Sequence, residues 1–334
     1  MKMHLALPRP VRATARPERR VRQRLAAACP ASAVPAVVML LAVVACNAWL
    51  QPDFFSAESL GSLLQNAAPV LLVCMAQAII VLVGELDLSV GAGISLVNCL
   101  LAGLPARAGL GTGTTCAVAL AAALVAGLCN GFLVGYLRQS ALVCTFATGA
   151  ILFGIALTVM PQPGGAVPEV LGTLYAQRLG PVPLAAVPLV LAALLWIGLQ
   201  RHRLGRRLIA TGSNADAALK SGIDIRVVKL LAYGIAWLLV FASAACISAE
   251  TASGDARLGL SYTLNSVAAV VIGGISLAGG RGSMIGAACG GLVLVLIGNV
   301  VYFAGIPSNY QEVFKGAVIV LALGFTFVGS RRPA

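Results

Sequence analysis

Apolar residues in this chain come in long runs, not in the alternation of a half-buried strand or the narrow stripe of a surface helix. The runs fall at 31–50, 60–83, 88–104, 115–137, 141–160, 182–200, 228–249, 262–279, 284–304 and 310–329. Each is close to the ~20 residues that a helix needs to cross a bilayer. The pattern therefore predicts an all-α polytopic membrane protein with about 10 transmembrane helices. Most connections are short. Two are longer: a basic stretch at 201–227, and 161–181, which opens with Pro161, Pro163, Gly164, Gly165 and Pro168.

Composition supports the same class. Hydrophobic residues make up 59% of the 334 positions and charged ones only 10%, whereas soluble domains average about 25% charged. An ordinary soluble enzyme is excluded, and so is a disordered chain, which needs low hydrophobicity.

Charge adds a direction. The net charge is +12, and the cations sit between apolar runs, not on a folded basic face, so nucleic acid is not an expected partner. With ten crossings and the N-terminus inside, nineteen of the 23 Lys and Arg fall on the inner side. Five of the eleven acids accompany them, which leaves +14 inside and −2 outside. That is the positive-inside distribution, and it predicts an N-in/C-in topology. The expected organisation is a basic cytoplasmic tail at 1–30, a transmembrane domain at 31–329 with a cytoplasmic loop at 201–227, and a cytoplasmic tail at 330–334.

Candidate chemistry is sparse. There is no phosphate-binding GxxxxGK[ST] loop, so nucleotide hydrolysis belongs to another chain. The nine cysteines form no CxxC pair and the two histidines stand among arginines, so no metal site or cofactor is expected. The most informative segment is Gly84-Glu85-Leu86-Asp87-Leu88-Ser89-Val90-Gly91. Its glycines permit a broken helix, and Ser89 or Asp87 suits the start of the next one. It reads either as a hinge or pathway lining, or as a cytoplasmic turn with solvated acids. A weak internal match sets it against Gly273-Gly274-Ile275-Ser276-Leu277-Ala278-Gly279-Gly280, 189 residues later, as paired Gly-interrupted segments in two transporter halves would.

Asn66, Gln77, Asn98, Asn130, Thr145, Thr148, Asn265 and Asn299 place polar groups inside the spans. Each serves either a neighbouring helix or a solute in transit. Small residues at Gly127/Gly131/Gly135 and Gly286/Gly290 mark close helix packing. In the basic loop, Arg201, Arg203, Arg206 and Arg207 fit an anchor at the anionic inner leaflet. Gly212-Ser213-Asn214 reads as a turn and cap before a short helix Ala215–Lys220 that ends at Ser221-Gly222. So short a helix is marginal alone, so a partner surface is the natural expectation.

These motifs carry a resemblance. GELDLSVG, HRLGRRLIATGSNADAALKSGI and VAAVVIGGISLAGGRGSMIGA resemble the ribose-type permease subunits of bacterial ATP-binding-cassette importers, in the family's order over most of 55–329. The resemblance implies an importer permease fold with two pseudo-repeated halves in the bacterial inner membrane. Its expected partners are an ATPase subunit that binds ATP and Mg, a periplasmic sugar-binding protein, the lipid bilayer and a second permease chain, read as a homodimer. It implies an ATPase-docking role for Gly205, Arg206, Gly212, Asn214, Ala217, Ser221 and Gly222. It implies a pathway or hinge role for Gly84, Glu85, Asp87, Leu88, Ser89, Gly91 and Asn130, and for Gly273, Gly274, Ser276, Gly279, Gly280, Arg281 and Gly282. The chain departs from the family's pattern at Glu85, where a second glycine is usual, at Ala215, and within 263–266 and 140–142. The function implied is translocation of a monosaccharide without any covalent chemistry in this chain. The alternatives are a related permease for branched-chain amino acids or nucleosides, and a stand-alone secondary carrier.

Overall fold

The computed structural model describes residues 34–180 and 182–307, and single positions from 310 to 320. The tail at 1–30, the span expected at 310–329 and the tail at 330–334 lie outside, or almost outside, the described residues. The helices, in chain order, are α1 (Val34–Leu50), α2 (Ala57–Leu82), α3 (Val90–Ala108), α4 (Thr112–Gly135), α5 (Ala141–Val159), α6 (Glu169–Ala176), α7 (Ala186–Arg201), α8 (Arg203–Ser213), α9 (Ala215–Lys220), α10 (Ile225–Thr251), α11 (Leu260–Ile272) and α12 (Met284–Phe303). Between α6 and α7 lies a two-stranded antiparallel hairpin, β1 (Arg178–Leu179) and β2 (Val182–Pro183), with Arg178 opposite Pro183.

Among the described residues, α2, α3, α4, α5, α10 and α12 are long and apolar enough to cross a membrane. α1, α7 and α11 are shorter apolar helices. The run at 262–279 is not one span: α11 stops at Ile272, and the glycines after it form a turn. A hydropathy run cannot register that stop, because Ile275, Leu277 and Ala278 keep it apolar. A second difference concerns Gly212 and Ser213, which belong to the last turn of α8 and not to a turn before the next helix.

α2 and α3 are the most enclosed of the long helices and α5 the least. Packing follows residue size. Gly127, Gly131 and Gly135 bring α4 onto α10: a Cβ at Gly127 would lie 2.4 Å from the Trp237 ring, and one at Gly131 2.9 Å from Leu230 Cα. Gly286 and Gly290 do the same for α12 against α11, where a Cβ would meet Gly273 O at 2.1 Å and Ala269 O at 2.0 Å. In lipid such close approach supplies the dispersion contact that helix association depends on. Pro69 sits inside α2 and has no N–H for Gln65 O; the Tyr175 hydroxyl donates to that freed carbonyl at 2.7 Å.

Connections gather at two ends. At one, Gly164 and Gly254 pair through both backbone N–H groups (2.9 and 2.8 Å), and Ala166 N donates to Ala102 O. At the other lie the α2–α3 break, the α4–α5 turn, α8, α9 and the glycine-rich turn after α11.

Candidate functional site

Two of the glycine motifs end their helices identically. Gly84 (φ +91°) donates to Val81 O at 2.9 Å, and Glu85 N reaches back to Ile80 O at 3.1 Å. Gly274 (φ +75°) donates to Val271 O at 2.9 Å, and Ile275 N to Val270 O at 3.1 Å. Both are Schellman closures, in which a left-handed glycine lets two backbone N–H groups satisfy the last carbonyls. The shared geometry pairs Gly84 with Gly274, an offset of 190, one residue from the match with Gly273 that letters alone suggest. Gly273 is instead the residue pressed on Gly286, where a Cβ would lie 2.4 Å from the Gly286 carbonyl carbon.

Beyond the first closure the chain stays irregular until Val90, and Asp87 fills the gap. It is fully buried, not solvated. Its Oδ1 accepts from Ser89 N (2.8 Å) and from the Ser89 hydroxyl, and its Oδ2 accepts from Trp237 Nε1 at 2.9 Å. A buried carboxylate is tolerated only with such donors. Asp87, not Ser89, supplies the side-chain oxygen at the entry to α3. Ser89 is held in turn by Asn130 Nδ2 (2.8 Å), and Thr148 donates to Asn130 Oδ1 at 2.7 Å. Leu88 N donates to the Thr145 hydroxyl at 3.0 Å. The Gln77 carboxamide, with its nitrogen towards Asp87 O (3.2 Å) and its oxygen towards Asp87 N (3.3 Å), ties α2 to the same residue. Five helices thus converge on one break.

Glu85 takes a different course. It is half-buried and forms an ion pair with Lys229 of α10. The position where the family pattern has glycine therefore carries a link from the α2 terminus to α10. Gly91 is packed against α11: Gly91 N donates to the Thr263 hydroxyl at 3.1 Å, and a Cβ there would lie 2.2 Å from that oxygen.

The turn after α11 is compact. Ser276 N donates to Arg281 O (3.0 Å) and Gly279 N to Ser276 O (2.9 Å), while Gly282 lies on Ile275 and Arg281 projects outward. This turn, the α2 terminus and the end of α8 meet through glycines. Gly280 N donates to Leu82 O at 3.0 Å. A Cβ on Gly212 would fall 2.0 Å from Leu82 O and 2.7 Å from Gly280 N; one on Gly279 would fall 2.6 Å from Gly84 Cα. Only backbones this bare approach so closely. One residue of α8 therefore touches both broken helix ends.

The basic stretch is mostly helical. α8 is amphipathic, with Gly205, Leu208 and Thr211 inward and Arg203, Arg206 and Arg207 outward. Gly205 packs on the end of α7, and Arg206 Nη1 donates to Arg201 O at 3.3 Å. Asn214 caps α9 by accepting from Ala217 N at 2.9 Å. Ser221, whose hydroxyl donates to Ala217 O (2.8 Å), closes it, and Gly222 (φ +80°) turns the chain away. Ala217, Leu219, Ser221 and Gly222 are exposed. Beneath α9 a cavity of about 620 Å³ is lined by Glu85, Arg138, Asp216, Asp224, Arg226 and Lys229, among others.

The sequence reading missed Trp237, Lys229 and Tyr233, whose hydroxyl donates to Leu86 O at 3.4 Å. The one available signal was the lysine at the start of an apolar run, opposite in charge to Glu85 at the end of another. Trp237 offered none.

A family model described as "Branched-chain amino acid transport system / permease component" matches residues 59–323. The ribose import permease protein RbsC of Bacillus subtilis (strain 168) is 34% identical over 283 residues, covering 82% of this chain and 86% of that protein. RbsC of Escherichia coli (strain K12) is 31% identical over 86% of this chain and 91% of its own. The galactose/methyl galactoside import permease protein MglC of the same strain is 26% identical over 86% and 91%. No solved structure matches the chain.

Proposed function

The chain belongs to the branched-chain amino acid transport system / permease component family, and within it we propose the membrane-spanning permease subunit of an ATP-binding-cassette sugar importer. It is a transport component and not an enzyme. A ribose-like monosaccharide is the proposed cargo, supported by the likeness to ribose import permeases over most of both chains. The proposed arrangement is ten helices, N-in/C-in, with two related halves, in a bacterial inner membrane. Two copies enclose one pathway, a periplasmic binding protein delivers sugar, and a separate ATPase docks beneath.

One observation carries the coupling role. α9 is presented at the surface while Gly212, two residues before Asn214 caps that helix, bears on both broken helix ends. A load taken up by α9 reaches α2 and the turn after α11 with no flexible segment between. An importer must bias two states by differential contacts, and this contact can differ between them.

The test is uptake by vesicles holding this chain with its ATPase and binding protein. Ribose accumulates only when ATP is supplied on the ATPase side. Uptake without the ATPase, or of leucine in place of ribose, would replace this reading. Gly222→Glu lowers uptake about tenfold while ATP hydrolysis continues, the scale of a coupling free energy of ~1–1.5 kcal/mol. Its backbone is left-handed and the space around it is open, so the added acid strains the turn and charges the docking surface without entering the core.

A further inference from the structure

Asparagines in the helices divide into two groups. Asn47, Asn98 and Asn130 are buried, and each uses its amide on the protein. Asn47 Nδ2 donates to Val43 O at 2.8 Å, and Asn98 donates to the Ser248 hydroxyl at 2.9 Å and accepts from Asp255 N at 2.7 Å. Asn66 in α2, Asn265 in α11 and Asn299 in α12 make no side-chain hydrogen bond to the described residues. Instead they open onto two adjoining cavities. One, of about 210 Å³, takes its polar lining from Asn66, Ser261, Tyr262 and Asn265 beside Val70, Val73, Leu294 and Val295; the other, of about 450 Å³, takes its polar lining from Gln51, Glu58, Ser59, Ser62, Asn66, Asn299 and Tyr302. Asn66 lines both, so they adjoin as a groove on either side of it.

An amide facing hydrocarbon without a partner costs several kcal/mol. Three of them on three neighbouring helices, unpaired among the described residues, therefore suit a wall that meets water or a polar solute better than one that meets lipid. Among the described lining residues the groove sets amides, hydroxyls and phenols among aliphatic side chains. Its one charge is Glu58, and no cation lines it to receive a carboxylate. Such a lining suits an uncharged polyhydroxylated molecule and does not suit an amino-acid zwitterion. The segments rich in motif residues are packed inward by contrast, with Asp87, Ser89 and Asn130 fully buried.

We propose that the groove carrying Asn66, Asn265 and Asn299 is the wall along which an uncharged polyol passes, its hydroxyls exchanging hydrogen bonds with these three amides. The proposal rests on the transport reading above and names the residues that meet the cargo.

The test uses the assembled transporter in vesicles, with the nine native cysteines replaced and N66C, N265C or N299C introduced singly. A membrane-impermeant thiosulfonate reacts at all three positions, and ribose supplied with the binding protein during turnover slows the reaction several-fold. V125C, exposed on the apolar face of α4, does not react. Reaction at 66, 265 and 299 no faster than at 125 would overturn the proposal. In the native-cysteine background, Asn265→Leu and Asn66→Leu lower ribose uptake about tenfold, the scale of one lost hydrogen bond to a substrate. Wild-type uptake by both leucine variants would also overturn it. Labelling is read without transport, so water access at the three positions is tested even if the cargo is not a sugar.

Discussion

Asp87→Asn leaves the chain inserted and lowers its unfolding free energy in detergent by about 2 kcal/mol, the desolvation cost of a buried donor left without an acceptor. The magnitude follows from three donors on one carboxylate: Ser89 N and the Ser89 hydroxyl on one oxygen, Trp237 Nε1 on the other. An asparagine can keep its oxygen towards Ser89 only by turning its own NH₂ at the indole N–H. Asp87→Ala leaves all three donors without this acceptor and costs more, about 3–5 kcal/mol, since each buried donor left unpaired costs about 1–3 kcal/mol. Trp237→Phe combined with Asp87→Asn removes the opposed donor and recovers part of the loss. The measurement is the midpoint of denaturant unfolding for the wild type, the two single variants and the double variant. Strict additivity of the two substitutions would show that the indole and the carboxylate do not interact.

Gly212→Val abolishes uptake in a protein that inserts normally. Its Cβ alone would fall 2.0 Å from Leu82 O and 2.7 Å from Gly280 N, and both atoms belong to backbone that cannot swing aside. α8 must therefore lift off the bundle by roughly 1.5–2 Å, the gap between that approach and ordinary contact at about 3.5–4.0 Å. The Gly280 N to Leu82 O hydrogen bond, which joins the two broken ends at 3.0 Å, lies beneath the added methyls. Gly212→Ala already forces the shift, so uptake falls about tenfold there too, a coupling loss on the order of 1.4 kcal/mol. The matched control is Gly198→Ala in α7, where a Cβ meets nothing within 4 Å. Uptake by inverted and right-side-out vesicles, normalised to inserted protein, checks both. Wild-type uptake by Gly212→Val would remove this contact from the mechanism.

How much of this was legible follows from what kind of signal each feature leaves. Long helices are written in unbroken apolar runs, and α2, α4, α5, α10 and α12 lie within a few residues of them. α9 was legible because its cap is local: Asn214 and Gly222 act within four residues of themselves. α8 was not, because its inward Gly205, Leu208 and Thr211 alternate with arginines that dominate any reading of charge. The end of α11 was hidden by apolar Ile275, Leu277 and Ala278. The register of the paired closures was misread by one, since Gly273 and Gly274 are the same letter with different tasks. What sequence spacing could not supply were contacts between distant segments. Trp237 meets Asp87 across 150 positions, and Gly212 meets Leu82 and Gly280 across helices that share no local pattern. Asn66, Asn265 and Asn299 were visible as polar residues, but only their lack of partners among the described residues separates them from Asn98 and Asn130.

In the proposed mechanism α9 is the handle by which a separate ATPase moves the helix breaks. A photo-crosslinking residue in place of Leu219, which is 57% exposed on α9, tests it in native membranes. One adduct is expected, between this chain and the ATPase subunit, and none from the same residue at Leu174, 48% exposed on α6 at the opposite end of the bundle. No adduct from 219 in a complex that still co-purifies, or equal capture from 174, would contradict it.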